Sequence, residues 1–270
     1  MSRDILELPA PAADARLPYG PERLHFGDLR LPETSGPHPV AVVLHGGFWR
    51  NRYGLDYMGH VCAALTAEGV ATWNVEYRRI GDEGGGWPGT FLDVGLATDY
   101  LRDLAPTHDL DLRRVVTVGH SAGGHLALWL AGRHRIPAGD PLAARAPLPI
   151  RGVVSLAGVT DPQRAWELGL SDSVVETFMG GSPERHPERY ATASPAELLP
   201  LGVAQVLVHG TADENVPFEL GRDYQVAAVA KGDEATLLAL DAAGHFEPVD
   251  PRSEAWPLVA EVVLSHLRGG

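Results

Sequence analysis

Short unbroken apolar runs alternate along this chain with longer stretches of mixed polarity. Residues 40–44 read VAVVL, a continuous apolar run rich in β-branched side chains, as expected of a strand buried on both faces. Similar runs predict strands over 70–77, 114–118, 151–156, 205–208 and 235–240, with a weaker one over 22–30. Helical spacing falls between them. It predicts helices over 55–67, closed by Gly69, and over 90–104, with Thr90 as N-cap and Asp93 in the first turn. Further helices are predicted over 124–131, 218–231 and 253–267. The GDEGGGWPG segment at 81–89 is a loop by composition.

The alternation specifies an α/β fold, a mostly parallel central sheet flanked by helices on both faces. Residues 1–20, rich in Pro and Ala, read as an arm over the body or a frayed terminus, and 21–270 as a single domain. Residues 133–149 form a proline-punctuated excursion. Residues 158–200 are too long for a turn and predict a small cap, with helices over 173–179 and 195–199. In such sheets ligands bind at the carboxyl edge of the strands.

Composition narrows the function classes. A chain of 270 residues with 44% hydrophobic and 21% charged positions supports one large core without staples. Its one cysteine, Cys62, excludes a disulfide framework and a cysteine zinc cluster. The net charge of −13 argues against nucleic acid as a partner. Membrane spanning is not expected, since no run approaches roughly 18 apolar residues. The start lacks the apolar stretch of a secretory signal, so a cytoplasmic location is the expectation. No H-E-x-x-H or similar spacing appears, so neither a metal nor another cofactor is expected. Residues 255–267 are apolar on one face, which suits packing on the sheet, and a homodimer is left open.

The candidate chemistry begins at Gly119-His120-Ser121-Ala122-Gly123. This G-x-S-x-G stands between a predicted strand and a predicted helix. There the serine occupies a strained turn, and glycines on either side relieve crowding. Ser121 is the candidate nucleophile, and the amide of Ala122 a candidate oxyanion donor. His45-Gly46-Gly47-Phe48-Trp49 follows the first strong strand, where the amides of Gly47 and Phe48 can serve the same end. A serine nucleophile needs a base, and the base an orienting acid. In chain order these are His245, just after the last strand, and Asp213, after the strand at 205–208, with Glu214 and Asp241 as rival acids. The other histidines read as strand ends, elbow neighbours, or core and solvated positions. Trp49, Trp87 and Phe246 lie in or beside the loops at this edge and are candidate substrate-binding residues, packing under the cap being the competing reading.

The blocks HGGFW, GHSAGG, HGTADENVP and AGHF, in this order, resemble the α/β-hydrolase superfamily from about residue 39 onward. Within it the chain looks like the esterase and lipase branch that includes feruloyl and acetyl carbohydrate esterases. The HGG-aromatic-Trp form also resembles kynurenine formamidases. It departs from the hormone-sensitive-lipase pattern, which has a further glycine where this chain has Phe48 and a different segment after Tyr77-Arg78. The resemblance implies a Ser121–His245–Asp213 triad and an oxyanion hole at Gly47, Phe48 and Ala122. It also implies a small-molecule ester or amide substrate. The leading expectation is a carboxylesterase. An arylformamidase acting on N-formylkynurenine and a non-catalytic binding module are the alternatives. A prolyl-peptidase-like activity is weaker still, because the chain has no room for a propeller domain.

Overall fold

Eight strands pair into one sheet in the computed structural model, which describes residues 2–268. In chain order they are β1 (Ala15–Pro18), β2 (Phe26–Arg30), β3 (His38–Leu44), β4 (Ala71–Val75), β5 (Leu110–His120), β6 (Gly152–Leu156), β7 (Ala204–Gly210) and β8 (Ala235–Leu240). The spatial order is β1-β2-β4-β3-β5-β6-β7-β8. β1 and β2 run antiparallel at one edge, and every pairing from β4 to β8 is parallel. The helices are α1 (Met58–Ala67), α2 (Gly89–Asp99), α3 (Leu101–His108), α4 (Ala122–Gly132), α5 (Pro162–Glu167), α6 (Leu170–Met179), α7 (Pro187–Ala193), α8 (Phe218–Ala230) and α9 (Trp256–Leu267). This is the mostly parallel, helix-flanked sheet that the alternation predicts, and the α/β-hydrolase fold that the resemblance implies.

The pleat of β3 shows why its run is apolar throughout. Val40, Val42 and Leu44 enter one core, with Trp73, Leu126 and Phe178, while Ala41 and Val43 enter the other, with Val61, Leu65 and Val263. Each buried Val or Leu contributes about 1.5–3 kcal/mol, so a polar residue on either face would be costly. α4 is buried at every residue from Ala122 to Gly132, which fits a helix that is apolar all round. It rises from the end of β5, the strand at the centre of the parallel run.

The structure corrects several local expectations. Residues 1–20 are more than an arm. They contain β1, a 3-10 turn over Ser2–Leu6 and the fully buried Ile5. The helix expected over 90–104 is two, α2 and α3, meeting at Tyr100. Thr90 is not its N-cap. Pro88 holds that position, and the Thr90 hydroxyl donates to the carbonyl of Arg78 at 2.5 Å and accepts from Gly86 N at 3.0 Å. Asp93 lies beyond the first turn. It accepts from Arg78 Nε and Nη2, at 2.9 and 2.6 Å, and its Oδ1 lies 2.8 Å from His25 Nε2. These partners, the buried His25 and the half-buried Arg78, explain the acid better than a dipole does. The helix expected over 195–199 is a turn. α5 and α7 stand elsewhere in the insertion, α5 opened by Asp161 as N-cap with Pro162 behind it. The helix expected over 173–179 is regular only over 174–179 of α6, because Ser171, Asp172 and Ser173 near its start are all left-handed (φ 49, 57 and 56°).

Candidate active site

The turn from β5 into α4 is strained at one residue. Ser121 has φ 56° and ψ −119°, a conformation that L-residues rarely hold without a structural reason. The flanking glycines are steric necessities. A Cβ on Gly119 would lie 2.0 Å from Gly123 O, and one on Gly123 would lie 2.2 Å from Leu44 O. The spacing of the motif is therefore the spacing at which the elbow's own backbone, and that of β3, closes in.

Behind the elbow, His245 Nδ1 lies 2.7 Å from Asp213 Oδ2. The acid's side chain is fully buried. Asp213 Oδ1 accepts from the backbone of Asn215 at 2.8 Å and of Val216 at 2.9 Å, and His209 Nε2 lies 3.3 Å from Oδ2. Burial pushes this carboxyl up, but the hydrogen bonds from His209 and His245 and that from Val216 N outweigh it. The group is held well below the usual carboxylate range. Of the rival acids, Glu214 is exposed at the surface and Asp241 lines a separate cavity. With Nδ1 engaged, Nε2 is the atom His245 has for proton transfer.

His45-Gly46-Gly47 leaves β3 and turns sharply. Gly47, Phe48 and Trp49 all have positive φ (109, 48 and 54°). Phe48 thus holds a left-handed conformation that glycine adopts more easily, at the position where the resembling lipase pattern has glycine. The turn is anchored from below. His45 Nε2 lies 2.9 Å from Glu76 Oε1, and its ring stacks on Tyr77 at 4.3 Å.

A hydrogen-bond relay joins the site's loops. Gly46 N–H donates to the hydroxyl of Tyr57 at 2.7 Å, and that hydroxyl lies 2.7 Å from His120 Nδ1. His120 Nε2 lies 3.0 Å from the carbonyl of His245, to which it must donate. With Nε2 the donor, Nδ1 accepts from Tyr57. Burial, then repulsion from His245, pushes the His120 imidazole well below its ordinary range, so it works as a neutral bridge.

These residues meet at a cleft of about 190 Å³, lined by Leu6, Gly47, Phe48, Arg52, Tyr53, Tyr57, His120, Ser121, Ser171, Asn215, His245 and Phe246. Of the residues singled out in the sequence, Ser121, His245, Gly47, Phe48 and Phe246 come together here. Ala122 follows Ser121 as the first residue of α4, and Asp213 stands behind His245. Two candidates do not line it. Trp49 is fully buried, stacked on Phe178 at 4.4 Å, and Trp87 packs against the core with Arg189 over its ring at 4.2 Å. Their place next to the motifs in sequence reflects packing under the cap, not contact with the cleft. Sequence reasoning missed Tyr57, His209, Arg52 and Leu6. Only His209 carried a local signal, standing four residues before Asp213. A larger cavity of about 680 Å³ opens at the end of β8 among Asp4, Asp241, Glu247, Asp250 and Glu254, but no residue of the Ser121 cleft lines it. Among the described residues no cluster of His, Cys, Asp or Glu could hold a metal ion, and no helix is long and apolar enough to cross a membrane.

Comparison with known proteins gives consistent matches. A family model described as BD-FAE matches residues 28–226. A curated relative from rice (Oryza sativa subsp. japonica), "Probable isoprenylcysteine alpha-carbonyl methylesterase ICME", is 26% identical over 245 residues, 85% of this chain. The chain spans 57% of that relative's length. Among solved structures, a truncated carbohydrate esterase from gut microbiota superposes with a TM-score of 0.79 at 19% identity, covering 96% of this chain and 98% of the other. Thermogutta terrifontis esterase 2, phosphonylated by sarin, superposes with a TM-score of 0.78 at 19% identity, covering 98% and 99%.

Proposed function

The chain belongs to the BD-FAE family, an esterase family of the α/β-hydrolase fold, and from that premise we propose that it cleaves small carboxylic esters through a Ser121 acyl-enzyme. The observation that carries this reading is the 2.7 Å contact of His245 with the buried Asp213, beside a strained Ser121 in the same cleft. Strain at a serine between two sterically required glycines is what an exposed nucleophile at a strand end needs.

In the proposed reaction His245 Nε2 takes the Ser121 hydroxyl proton as Oγ attacks the ester carbonyl. The carbonyl oxygen becomes an oxyanion facing the amides of Gly47, Phe48 and Ala122. His245 then gives its proton to the departing alcohol, leaving an ester on Ser121. Water, deprotonated by the same imidazole, attacks that ester, and the acid leaves as Oγ recovers its proton. Asp213 keeps Nδ1 protonated and stabilises the imidazolium without accepting the proton. Its strongly acidic carboxyl suits this role, because it stays ionised throughout. The relay through Tyr57 and His120 holds the oxyanion loop and the His245 loop at a fixed separation.

The His45-Gly46-Gly47-Phe48-Trp49 block supports a second reading, an arylformamidase that applies the same steps to a formamide. The names of the similar proteins, a methylesterase and a carbohydrate esterase, favour the ester. The deciding experiment measures kcat/KM on p-nitrophenyl acetate beside N-formylkynurenine, with Ser121→Ala as control and fluorophosphonate labelling of both proteins. Turnover and labelling that vanish in a folded Ser121→Ala variant support the nucleophile. Retained turnover in that variant would falsify it. Faster turnover of the formamide than of the acetate would replace the ester reading by the formamidase one.

A further inference from the structure

We infer that the Ser121 cleft selects substrates carrying a carboxylate, and that Arg52 is the residue that reads it. The inference deepens the esterase reading above and rests on Ser121 as nucleophile.

The argument starts from charge. The chain carries 35 acidic against 22 basic residues, so its overall field repels anions. The cleft lining inverts that balance: it contains Arg52 and no Asp or Glu. Five carboxylates stand one residue from a lining residue: Glu7, Asp56, Asp172 and Glu214 are exposed, and the half-buried Glu247 accepts from Gly244 N at 3.0 Å. None of the five is among the ion pairs of the structure, and among the described residues Arg52 has no carboxylate within 4.0 Å. No ion pair offsets the guanidinium at the mouth of the site.

Its position is set by the oxyanion loop. Arg52 lies over the ring of Tyr53, 4.8 Å from the centroid, a cation–π placement that leaves the donor edge of the guanidinium for a ligand. Tyr53 packs directly on Gly47, where an added Cβ would meet the Tyr53 ring atom Cδ2 at 2.6 Å. The backbone between them is a tight turn, with Arg50 N donating to Gly47 O at 3.0 Å and Tyr53 N to Arg50 O at 3.3 Å. The cation is therefore held by the same loop that offers Gly47 and Phe48 to the oxyanion. Phe48, Phe246 and Leu6 are the apolar parts of a wall that is otherwise mostly polar, with Tyr53, Tyr57, Ser171 and Asn215. At about 190 Å³ the cavity is smaller than the roughly 300–1,000 Å³ of drug-sized sites. A short acyl or alcohol group fills it, and a carboxylate on that group reaches Arg52, where two parallel N–H donors can grip it.

The test uses matched ester pairs that differ in one charge. On the acyl side the pair is p-nitrophenyl hydrogen succinate and p-nitrophenyl butyrate. On the alcohol side it is 4-carboxyphenyl acetate and 4-carbamoylphenyl acetate. The readout is the ratio of kcat/KM for the charged over the neutral member, in the wild type, Arg52→Gln and Arg52→Glu, with circular dichroism to check folding. Comparing one ratio across proteins cancels the intrinsic reactivity of the esters. In one of the two pairs, Arg52→Gln lowers the ratio about fivefold and Arg52→Glu about tenfold or more, mostly through KM, as expected for a partly exposed charge pair. Raising the salt to 0.5 M narrows the difference between wild type and variants. Ratios in both pairs that stay within twofold of wild type in folded Arg52→Glu overturn the inference. A wild type that hydrolyses none of the four esters and is not labelled by a fluorophosphonate is a different failure. It removes the Ser121 reading, and this inference with it.

Discussion

His125 lies one turn into α4, fully buried, and its chemistry makes a quantitative prediction about acid stability. Its Nε2 donates to the carbonyl of Ala193 at 2.8 Å. Trp49, Phe91 and Phe178 surround the ring edge-on at 5.3, 5.6 and 6.1 Å. Burial pushes the imidazole down to about 4, the carbonyl offsetting this only in part. The unfolded chain protonates this residue near its ordinary 6.5, so between pH 6.5 and 4 the unfolded state binds more protons than the fold. Stability is therefore complete above pH 6.5 and is lost as pH falls toward 4. The loss attributable to this residue is about 2 kcal/mol at pH 5 and about 3 kcal/mol at pH 4. His120, also pushed down, adds a loss of the same sign, so the measurement must compare proteins. Urea unfolding at pH 7 and pH 5 gives the loss for the wild type and for His125→Gln, which keeps a donor for Ala193. The variant should lose about 2 kcal/mol less than the wild type over that interval. Equal losses in both proteins would refute the reasoning. So would a wild-type His125 ring that titrates near 6.5 by NMR, a readout that does not depend on the variant folding.

Three further outcomes are expected. Asp213→Asn should lower kcat on an ester substrate by about 10³–10⁴ with the fold intact, since the amide no longer holds the productive tautomer of His245; a loss below tenfold would remove Asp213 from that role. Gly123→Ala puts a methyl group 2.2 Å from Leu44 O and 2.5 Å from His45 O, so it should cost about 3 kcal/mol or more and the esterase activity with it; an unchanged Tm would show that the elbow has slack. Asp161→Ala removes the cap that accepts from Gln163 N at 2.9 Å and Arg164 N at 3.1 Å, with an expected cost of about 1 kcal/mol and a Tm lower by about 2–4 °C by calorimetry.

What could be read from the sequence was local or ordered along the chain. The elbow is legible because the glycines and Ser121 constrain one another within five residues. Asp213 and His245 are legible because each follows a strand, and parallel strands deliver their ends to one edge. Trp49 and Trp87 misled because nearness to a motif says nothing about which side of the backbone an aromatic faces. Thr90 misled because its hydroxyl satisfies the Arg78 carbonyl and Gly86 N instead of capping a helix. β1 escaped notice because Ala15–Pro18 reads ARLP, with a half-buried and exposed pattern typical of an edge and too short to show a period. Tyr57, Arg52 and Leu6 had no signal at all. They reach the cleft through tertiary folding of loops and the terminal segment.

Leu6 has a consequence of its own. The groups proposed to react hang from strand ends, where sterics leave little room for change. Leu6 closes the same cleft from a 3-10 turn outside the sheet, next in sequence to the buried Ile5, and packs against the core that holds Val61 and Leu65. The site is thus assembled from a rigid part and an interchangeable part. Apolar side chains of other shapes at residue 6 can reshape what enters the cleft while the elbow and the relay stay as they are. Diversification of substrate choice has a route in this molecule that leaves the strand ends alone, and it runs through the 3-10 turn at Ser2–Leu6.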